Sequence, residues 1–263
     1  LKTFKMKQVI FLVAVLCTYI TSAQSVIEIT YLDVHPAEIG KFVELHKKVT
    51  DMSQSEERTL KGQWVYRHWY GSGATIAIYD QFASAEDAVK DDLAGAFQKN
   101  YEKLSDEAKK EMDEVFSQWW AFFDGHWDEM RIIDYENYFV SKEDVDWDIP
   151  FVFVVGNYNT SGSISEMAKA YMDWQTRPLV KDGLQMGGGA SAHYKGTGAD
   201  VQLFGGFKNI MDFAESISTP QENPNVEARK KFWTSVSGSH EDQIYVHVGH
   251  LENGTFNLAG KDK

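Results

Sequence analysis

A weak internal repeat constrains this chain more than any other feature of its sequence. When the sequence is shifted by 125 residues, His68 falls on His193, and the apolar stretch that starts at Gly73 falls on the one that starts at Gly198. Self-similarity at a fixed offset indicates that one supersecondary unit occurs twice. Few residues are identical between the copies, so the shared order of secondary-structure elements is stronger evidence for the repeat than the identities are.

The first copy is predicted to fold as β-α-β-β-α-β. Strands are indicated by short apolar, β-branched runs, and helices by apolar residues at every third or fourth position, such as Phe42, Leu45 and Val49. A Gly-Ser-Gly sequence at 71–73 predicts a tight turn between two strands. The predicted elements are a strand at 26–34, a helix from residue 36, strands at 63–70 and 75–82, a helix from residue 84, a helix at about 105–123 and a strand at 131–139.

The second copy gives the same order of elements. Its late helices differ in length from those of the first copy, so the offset between equivalent residues shrinks toward the C-terminus. We expect a first unit at 24–140, an acidic linker at 141–148, a second unit at 149–252 and a tail at 253–263. The predicted elements are a strand at 151–158, a helix at 163–175, strands at 191–195 and 201–207, helical segments at 210–216 and 226–236, and a strand at 244–250.

Each predicted four-stranded sheet buries one face under its own helices and leaves the other face to be covered. Two copies in one chain can cover each other, so no further oligomerisation is required. Over residues 25–250 the element order and the repeat resemble the dimeric α+β barrel superfamily and uncharacterised exported bacterial proteins of this size. The expected fold class is therefore α+β, with two tandem ferredoxin-like units that form an intrachain pseudo-dimeric α+β barrel.

The first 23 residues read as a secretory signal. Lys5 and Lys7 precede an apolar run at 9–16, and small residues lead to Ala23. The run is too short for a transmembrane helix, and no later stretch is apolar and long enough to span a membrane. Cleavage after Ala23 would remove Cys17, the only cysteine, and with it any disulfide or thiolate chemistry. We expect an exported protein, periplasmic or extracellular.

The charge and the aromatic content narrow the class of partner. The net charge is −13, and the signal segment contains three lysines and no acid, so the mature chain is still more acidic. An acidic surface repels nucleic acids and anionic membranes, which excludes both as main partners. Aromatic residues make up 14% of the chain, which suits a dense core or a cavity for a flat ligand. The predicted partner is a small apolar or aromatic molecule.

Strand alternation gives the candidate site residues. Tyr66, His68 and Tyr70 share one face of their strand, and His193 lies at the equivalent position of the second copy. We assign this more polar face to the space between the sheets. His68 and His193 are the candidate catalytic residues, because a buried imidazole can act as a base, a hydrogen-bond donor or a ligand. A structural histidine paired with a hydroxyl or a carbonyl is the alternative.

The last strand adds two candidates. Tyr245 and His247 are assigned to the inner face, and His250 to the opposite face together with Val246 and Val248. The equivalent of His247 in the first copy is Ile133, so the copies would differ there. The predicted ligand-binding residues are Tyr66, Tyr70, Tyr79, Phe204, Tyr245 and His247.

Three further patterns have a structural interpretation that competes with a functional one. His126 and Asp128 precede the last strand of the first copy, as His240 and Asp242 precede that of the second. In each pair the carboxylate could orient the imidazole, or the two side chains could be metal ligands on a loop; a helix-end cap by the histidine is the structural interpretation. The aromatic cluster at 119–123 is expected to pack. The glycines at 187–189 are expected to form a flexible loop before a strand, without the lysine of a phosphate-binding loop. No metal site is predicted.

The leading functional hypothesis is an exported small-molecule-binding barrel. Known α+β barrels include cofactor-free monooxygenases of the antibiotic-biosynthesis type, so the resemblance implies that a phenolic substrate could be activated without a cofactor. One alternative is a non-catalytic exported scaffold or interaction protein, which predicts no pocket between the halves. The second alternative is a haem-binding barrel, as in relatives of chlorite dismutase, with one histidine as the axial ligand. The sequence leaves open whether the protein is an enzyme.

Overall fold

Eight antiparallel strands close into a barrel in the computed structural model, which describes residues 24–142, 145–219 and 224–260. The predicted export signal at 1–23 lies outside the described residues. A ninth strand pairs with the outer end of the eighth. The strands are β1 (Val26–Leu32), β2 (Gly62–Gly71), β3 (Ile76–Phe82), β4 (Trp127–Val140), β5 (Val152–Thr160), β6 (Gly187–Gly196), β7 (Val201–Phe207), β8 (Val236–Glu252) and β9 (Thr255–Leu258).

Helices cover the outside of the barrel. Several begin with the side-chain caps that their sequences provide; Ser84, Ser105 and Ser163 each accept a hydrogen bond from a backbone N–H of the first turn. The α-helices are α1 (Ile39–Met52), α2 (Ala85–Lys90), α3 (Leu93–Tyr101), α4 (Asp106–Trp120), α5 (Ile164–Tyr171), α6 (Arg177–Lys181), α7 (Ile210–Ser218) and α8 (Val226–Ser235). Short 3₁₀ turns lie at Pro36–Glu38 and Ala121–Phe123, and a π-helical turn at Met172–Thr176 joins α5 to α6.

The barrel consists of two ferredoxin-like halves, as the repeat predicts. The strand order is β2-β3-β1-β4 in the first half and β6-β7-β5-β8 in the second. The starts of β2 and β6, Gly62 and Gly187, lie 125 residues apart, and so do the starts of β3 and β7. The expected α+β class and the barrel built within one chain are confirmed.

Two seams join the halves, and their ends at Gly71 and Gly196 have the same backbone geometry. The fourth strand of each half pairs with the second strand of the other, β4 with β6 and β8 with β2. Gly71 and Gly196 lie at equivalent ends of these seams with φ of 93° and 91°. A Cβ atom there would lie 2.2 Å and 2.5 Å from the backbone oxygens of Asp242 and Asp128. Both positions therefore require glycine. This match between equivalent ends of the two seams indicates a pseudo-two-fold axis that relates the halves.

The interface between helices and sheet differs between the two halves. In the first half, Trp119 donates to Nδ1 of His46, His46 lies 2.9 Å from Oε1 of Gln63, and Gln63 donates to Asp80. Burial lowers the pKa of His46 to about 4 and raises the pKa of Asp80 to about 7. Nδ1 of His46 accepts the hydrogen bond from the indole N–H of Trp119. The neutral imidazole therefore carries its proton on Nε2 and donates it to the side-chain oxygen of Gln63.

In the second half, glycines occupy the positions equivalent to two residues of that network. Gly188 and Gly205 are equivalent to Gln63 and Asp80 by the 125-residue offset. A Cβ at these glycines would lie 2.6 Å and 2.3 Å from Nε2 of Gln185, which donates to the carbonyl of Gly187. One buried glutamine therefore fills the space that two polar side chains occupy in the first half.

Some segments differ from the expectations set by sequence. Gly187–Gly189 begins β6 and is not a loop, because the side chain of Tyr138 and the ring of Phe204 lie within 3 Å of where a Cβ of Gly189 would stand. Strand β8 starts at Val236, so His240 lies in a strand and not before one. Within the described ranges, no helix has the length and apolar character that crossing a bilayer requires.

Candidate functional site

Aromatic side chains fill the barrel interior. Tyr66 stacks on Phe153 with ring centroids 4.4 Å apart, and Tyr79 packs edge-on against both rings. Tyr245 belongs to the same buried cluster. Four of the predicted ligand-binding residues, Tyr66, Tyr79, Phe204 and Tyr245, thus project inward, as alternation along their strands requires.

A cavity of about 510 Å³ opens at the end of the barrel where β1 begins. We call it the aromatic cavity. The exposed residues Tyr135, Tyr138 and Glu252 mark its opening to solvent. Its wall also includes Ile27, Trp64, Tyr66, Tyr79, Trp147, Phe151, Phe153, Phe204, Gly206 and His250. Such a wall, mostly apolar with a few polar groups, is typical of sites for small organic ligands.

A second cavity of about 400 Å³ lies at the other end, where β1 finishes. We call it the polar cavity. Trp127 stacks on Tyr31 at 5.5 Å in its wall, and carboxylates and amides make up most of its polar side chains. These are Glu129, Asn157, Asn159, Glu241 and Gln243.

A buried ion pair lies between the two cavities along β4. Arg131 is fully buried, and its Nη1 atom lies 2.8 Å from Oε2 of Glu129. The guanidinium also donates to the hydroxyl and carbonyl of Ser191 and to the carbonyl of Ala199. Tyr31 donates to the other oxygen of Glu129 at 2.7 Å, and burial together with this carboxylate raises the pKa of Tyr31. Every charge in this group therefore has a partner, as a buried charge requires.

A β-bulge in β8 changes the predicted position of His250. Val65 pairs with Gly249 and Tyr66 pairs with His247, so Val248 is an extra residue in β8. His250, paired with Trp64, consequently lines the aromatic cavity, and its ring stacks on His247 at 5.3 Å. The assignment of His250 to the outer face was wrong, because alternation holds only for a strand without a bulge.

His247 lies deeper than His250 and is fully buried. Its ring stacks on Phe151 at 4.6 Å and lies 5.9 Å from that of Tyr66. Nδ1 lies 2.9 Å from the carbonyl of Ile149, so this nitrogen carries the proton. Burial lowers the pKa of His247 to about 4, which keeps the imidazole neutral at physiological pH.

The linker between the halves forms part of the aromatic cavity. Trp147 lines the cavity, and the next residue, Asp148, places Oδ1 3.3 Å from Nε2 of His250. The backbone carbonyl of Asp148 accepts a hydrogen bond from Gly260, so the C-terminal segment holds the linker in place. Residues 141–148 were predicted only as an acidic linker; the large apolar side chain of Trp147 in this segment was the sequence signal for packing.

The two candidate catalytic histidines lie toward the polar cavity. The ring of His68 stands edge-on to Tyr245 at 5.6 Å, and its Nε2 atom is buried without a partner among the described residues. His193 lies 3.2 Å from the carbonyl of Gly196 in its own hairpin, which is the structural alternative considered above. Neither histidine is part of the wall of the aromatic cavity.

Tyr70 is 73% exposed and lines neither cavity. A second register shift, between His68 and Tyr70, places Trp69 out of register and turns the end of β2 away from the interior. The placement of Tyr70 on the inner face was therefore wrong.

Both His-x-Asp pairs form, at the surface. His126 and Asp128 approach to 3.4 Å, and His240 and Asp242 to 3.2 Å. His126 also contacts the carbonyl of Phe123 at the end of a 3₁₀ turn, which is a capping role. His240 stacks on Tyr158. Neither pair has a third metal-ligating side chain close by among the described residues.

Solved structures with the same architecture exist at very low sequence identity. An anthrone oxidase-like protein superposes with a TM-score of 0.54 at 12% identity, over 91% of this chain and 95% of that one. A candidate monooxygenase of Fusobacterium nucleatum gives 0.54 at 11% identity, over 89% and 96%. One of Lactobacillus acidophilus gives 0.50 at 10% identity, over 90% and 97%. The fold is that of the dimeric α+β barrels.

Identities near one residue in ten establish shared architecture alone, since one fold hosts many activities. No protein-family model and no curated sequence matches this chain. Any function therefore has to be argued from the cavities themselves.

Proposed function

We propose that the protein binds a flat, mainly apolar aromatic molecule in the aromatic cavity. The observation that carries this proposal is a cavity of about 510 Å³ inside the barrel, walled by rings such as Tyr66, Phe153 and Phe204. A scaffold filled by its own side chains would leave no such space, so the cavity favours a binding protein over the scaffold alternative. Stacked and edge-on rings recognise a planar ligand, and burying its apolar area supplies the affinity.

The test uses 2-naphthol, a fluorescent planar phenol, as the probe. Gly206 lines the aromatic cavity, and a Cβ there would meet only ordinary contacts at 3.6 Å from Phe151. Gly206→Leu therefore places an isobutyl group in the cavity with little strain, and we expect the affinity to fall roughly 10-fold or more. Gly40→Leu is the matched control, because a Cβ on that exposed helical glycine meets nothing within 4 Å.

Two results would contradict the binding proposal. One is the absence of probe binding to the wild-type protein at concentrations up to about 1 mM. The other is equal affinity in the wild type and in Gly206→Leu, which would place the probe elsewhere on the molecule.

The structural neighbours, an anthrone oxidase-like protein and two candidate monooxygenases, support a second candidate function, oxidation of the bound aromatic by O₂. With anthrone as substrate, O₂ would be reduced to one water while the methylene carbon becomes the second carbonyl of anthraquinone. The aromatic wall would exclude water from the carbanion formed on the way. Quinone formation with one O₂ consumed per product, faster than autoxidation without protein, is the expected result; a rate equal to autoxidation would exclude it.

Haem fits the aromatic cavity poorly. A haem held by histidine needs an open imidazole nitrogen as its axial ligand, and the haem propionates need cationic partners. Among the described residues of the wall there is no lysine or arginine, and Nε2 of the single histidine, His250, faces Asp148. We expect a purified protein without a Soret band, which one absorption spectrum tests.

A further inference from the structure

Three metal-ligating side chains converge at the opening of the aromatic cavity, and two of them, His250 and Glu252, line it. Asp148, His250 and Glu252 each present a ligand atom within 4.8 Å of the others. Two lie on β8 and one on the linker, so the chain brings them together from about 100 residues apart. No other set of three such residues converges in the described ranges.

We propose that these three residues form a binding site for a first-row divalent transition metal such as Zn²⁺. Imidazole together with carboxylates suits Zn²⁺, Mn²⁺ or Co²⁺, whereas Mg²⁺ and Ca²⁺ prefer oxygen ligands alone. The two carboxylates neutralise a divalent cation, and without one they stand close to each other in a chain of net charge −13.

The separations fit coordination. Metal–ligand bonds of about 2.0–2.2 Å separate neighbouring ligand atoms by roughly 3.0–3.5 Å. Nε2 of His250 already lies 3.3 Å from Oδ1 of Asp148. Glu252 is exposed, so its side chain can rotate inward without disturbing packed neighbours. His250 is only 7% exposed, which gives the site one fixed ligand.

The surroundings of His250 set the expected affinity. Coordination through Nε2 leaves the ring proton on Nδ1, and Nδ1 is buried with no partner among the described residues. Metal-bound histidines usually donate that proton to a carbonyl or carboxylate, and losing the partner weakens binding roughly 10- to 100-fold. We therefore expect a dissociation constant on the order of micromolar rather than nanomolar.

The site would connect the metal to the aromatic cavity. Glu252 and His250 line the cavity, and Trp147, the neighbour of Asp148, forms part of its wall. A bound ion would hold the linker against β8, and three protein ligands leave coordination positions free for an oxygen atom of a ligand. This consequence rests on the proposed function, whereas metal binding itself does not.

The experiment titrates the untagged, chelator-treated protein with Zn²⁺ in a calorimeter and with Co²⁺ in a spectrophotometer. We expect one equivalent to bind, with visible absorption for Co²⁺. Asp148→Asn, His250→Gln and Glu252→Gln should each weaken binding roughly 10-fold or more. Glu252→Gln decides the result if His250→Gln fails to fold, since Glu252 is exposed.

Asp242→Asn is the matched control. It belongs to a His–Asp pair on the same strand, 3.2 Å apart, with no third ligand among the described residues. Equal weakening by Asp242→Asn and Asp148→Asn, or no binding up to about 1 mM, would overturn the proposal.

Titrating 2-naphthol with and without Zn²⁺ separates the two proposals. Tighter phenol binding in the presence of Zn²⁺ is expected from both together. If the protein binds Zn²⁺ but not 2-naphthol, only the proposed function is refuted. If it binds 2-naphthol but not Zn²⁺, only the metal site is refuted.

Discussion

The two halves of the barrel use one backbone frame with different chemistry between helices and sheet. In the first half, Gln63 and Asp80 join His46 in a buried polar network. In the second half, Gly188 and Gly205 occupy the equivalent positions under the amide of Gln185. A duplicated fold therefore fixes where the strands run but leaves the contents of each interface free. The first interface contains a carboxyl, that of Asp80, whose pKa is raised to about 7.

The largest expected effect is on the pH dependence of stability. The pKa of Asp80 is about 7 in the folded protein and near 3.8 in the unfolded chain, so the folded state binds its proton more tightly. The free energy of unfolding should therefore fall as the pH rises from 4 to 7, by at most about 4 kcal/mol from this group. His46 acts in the opposite direction, because its lowered pKa costs stability as the pH falls from 6.5 to 4.

Asp80→Asn isolates the contribution of the carboxyl, since His46 remains in both proteins. The variant should gain stability relative to the wild type as the pH rises from 4 to 7, measured by urea unfolding at several pH values. Parallel curves for the two proteins would show that Asp80 titrates normally.

The next largest effect is expected at Gly188 in the second half. A methyl group at Gly188 would lie 2.5 Å from the backbone oxygen of Phe204, which cannot move without separating two strands. Gly188→Ala should cost about 3 kcal/mol, although its equivalent in the first half is the much larger Gln63. Chemical denaturation measures the loss, and Gly206→Ala, with its nearest neighbour at 3.6 Å, should stay within about 0.5 kcal/mol of the wild type.

Gln63→Leu should be less costly. It leaves His46 and Asp80 without the amide that joins them, which is expected to lower the free energy of unfolding by about 2 kcal/mol. Gln185→Leu removes the hydrogen bond from Gln185 to the carbonyl of Gly187 and should cost about 1 kcal/mol. Equal losses would mean that the two hydrogen bonds of Gln63 stabilise the protein no more than the one of Gln185.

The smallest effect is expected at two tryptophans, Trp119 in α4 and Trp233 in α8, each in the last helix of its half. Trp119→Phe removes the hydrogen bond to His46 in a buried site and should cost about 1 kcal/mol. Trp233→Phe, at a residue that is 42% exposed, should change stability by less than about 0.5 kcal/mol. Thermal unfolding of both variants compares them directly.

The repeat and strand alternation predicted most of the frame. The 125-residue offset located β2, β3, β6 and β7, and alternation placed Tyr66 and Tyr245 on the inside. The repeat and the alternation are visible in the sequence itself, without knowledge of which distant strands pair.

The elements that the sequence did not reveal depend on pairing between distant strands. Bulges at Trp69 and Val248 arise where β2 meets β8 across the seam, and they turn Tyr70 outward and His250 inward. Glycines at the start of β6 resemble a loop until the neighbouring side chains that fill their space are known. The convergence of Asp148 with His250 likewise requires the linker to cross the barrel end.

Closure of the barrel has a consequence for folding kinetics. The seam between β2 and β8 brings Trp64 next to His250, so a chain of more than 180 residues must be drawn into a loop before these strands can meet. Loop entropy opposes that step, and folds dominated by distant contacts form slowly. We expect the hairpins within each half to form early and the pairing of β2 with β8 to limit the folding rate. Substitutions along this seam should therefore change the refolding rate more than substitutions in the hairpins do.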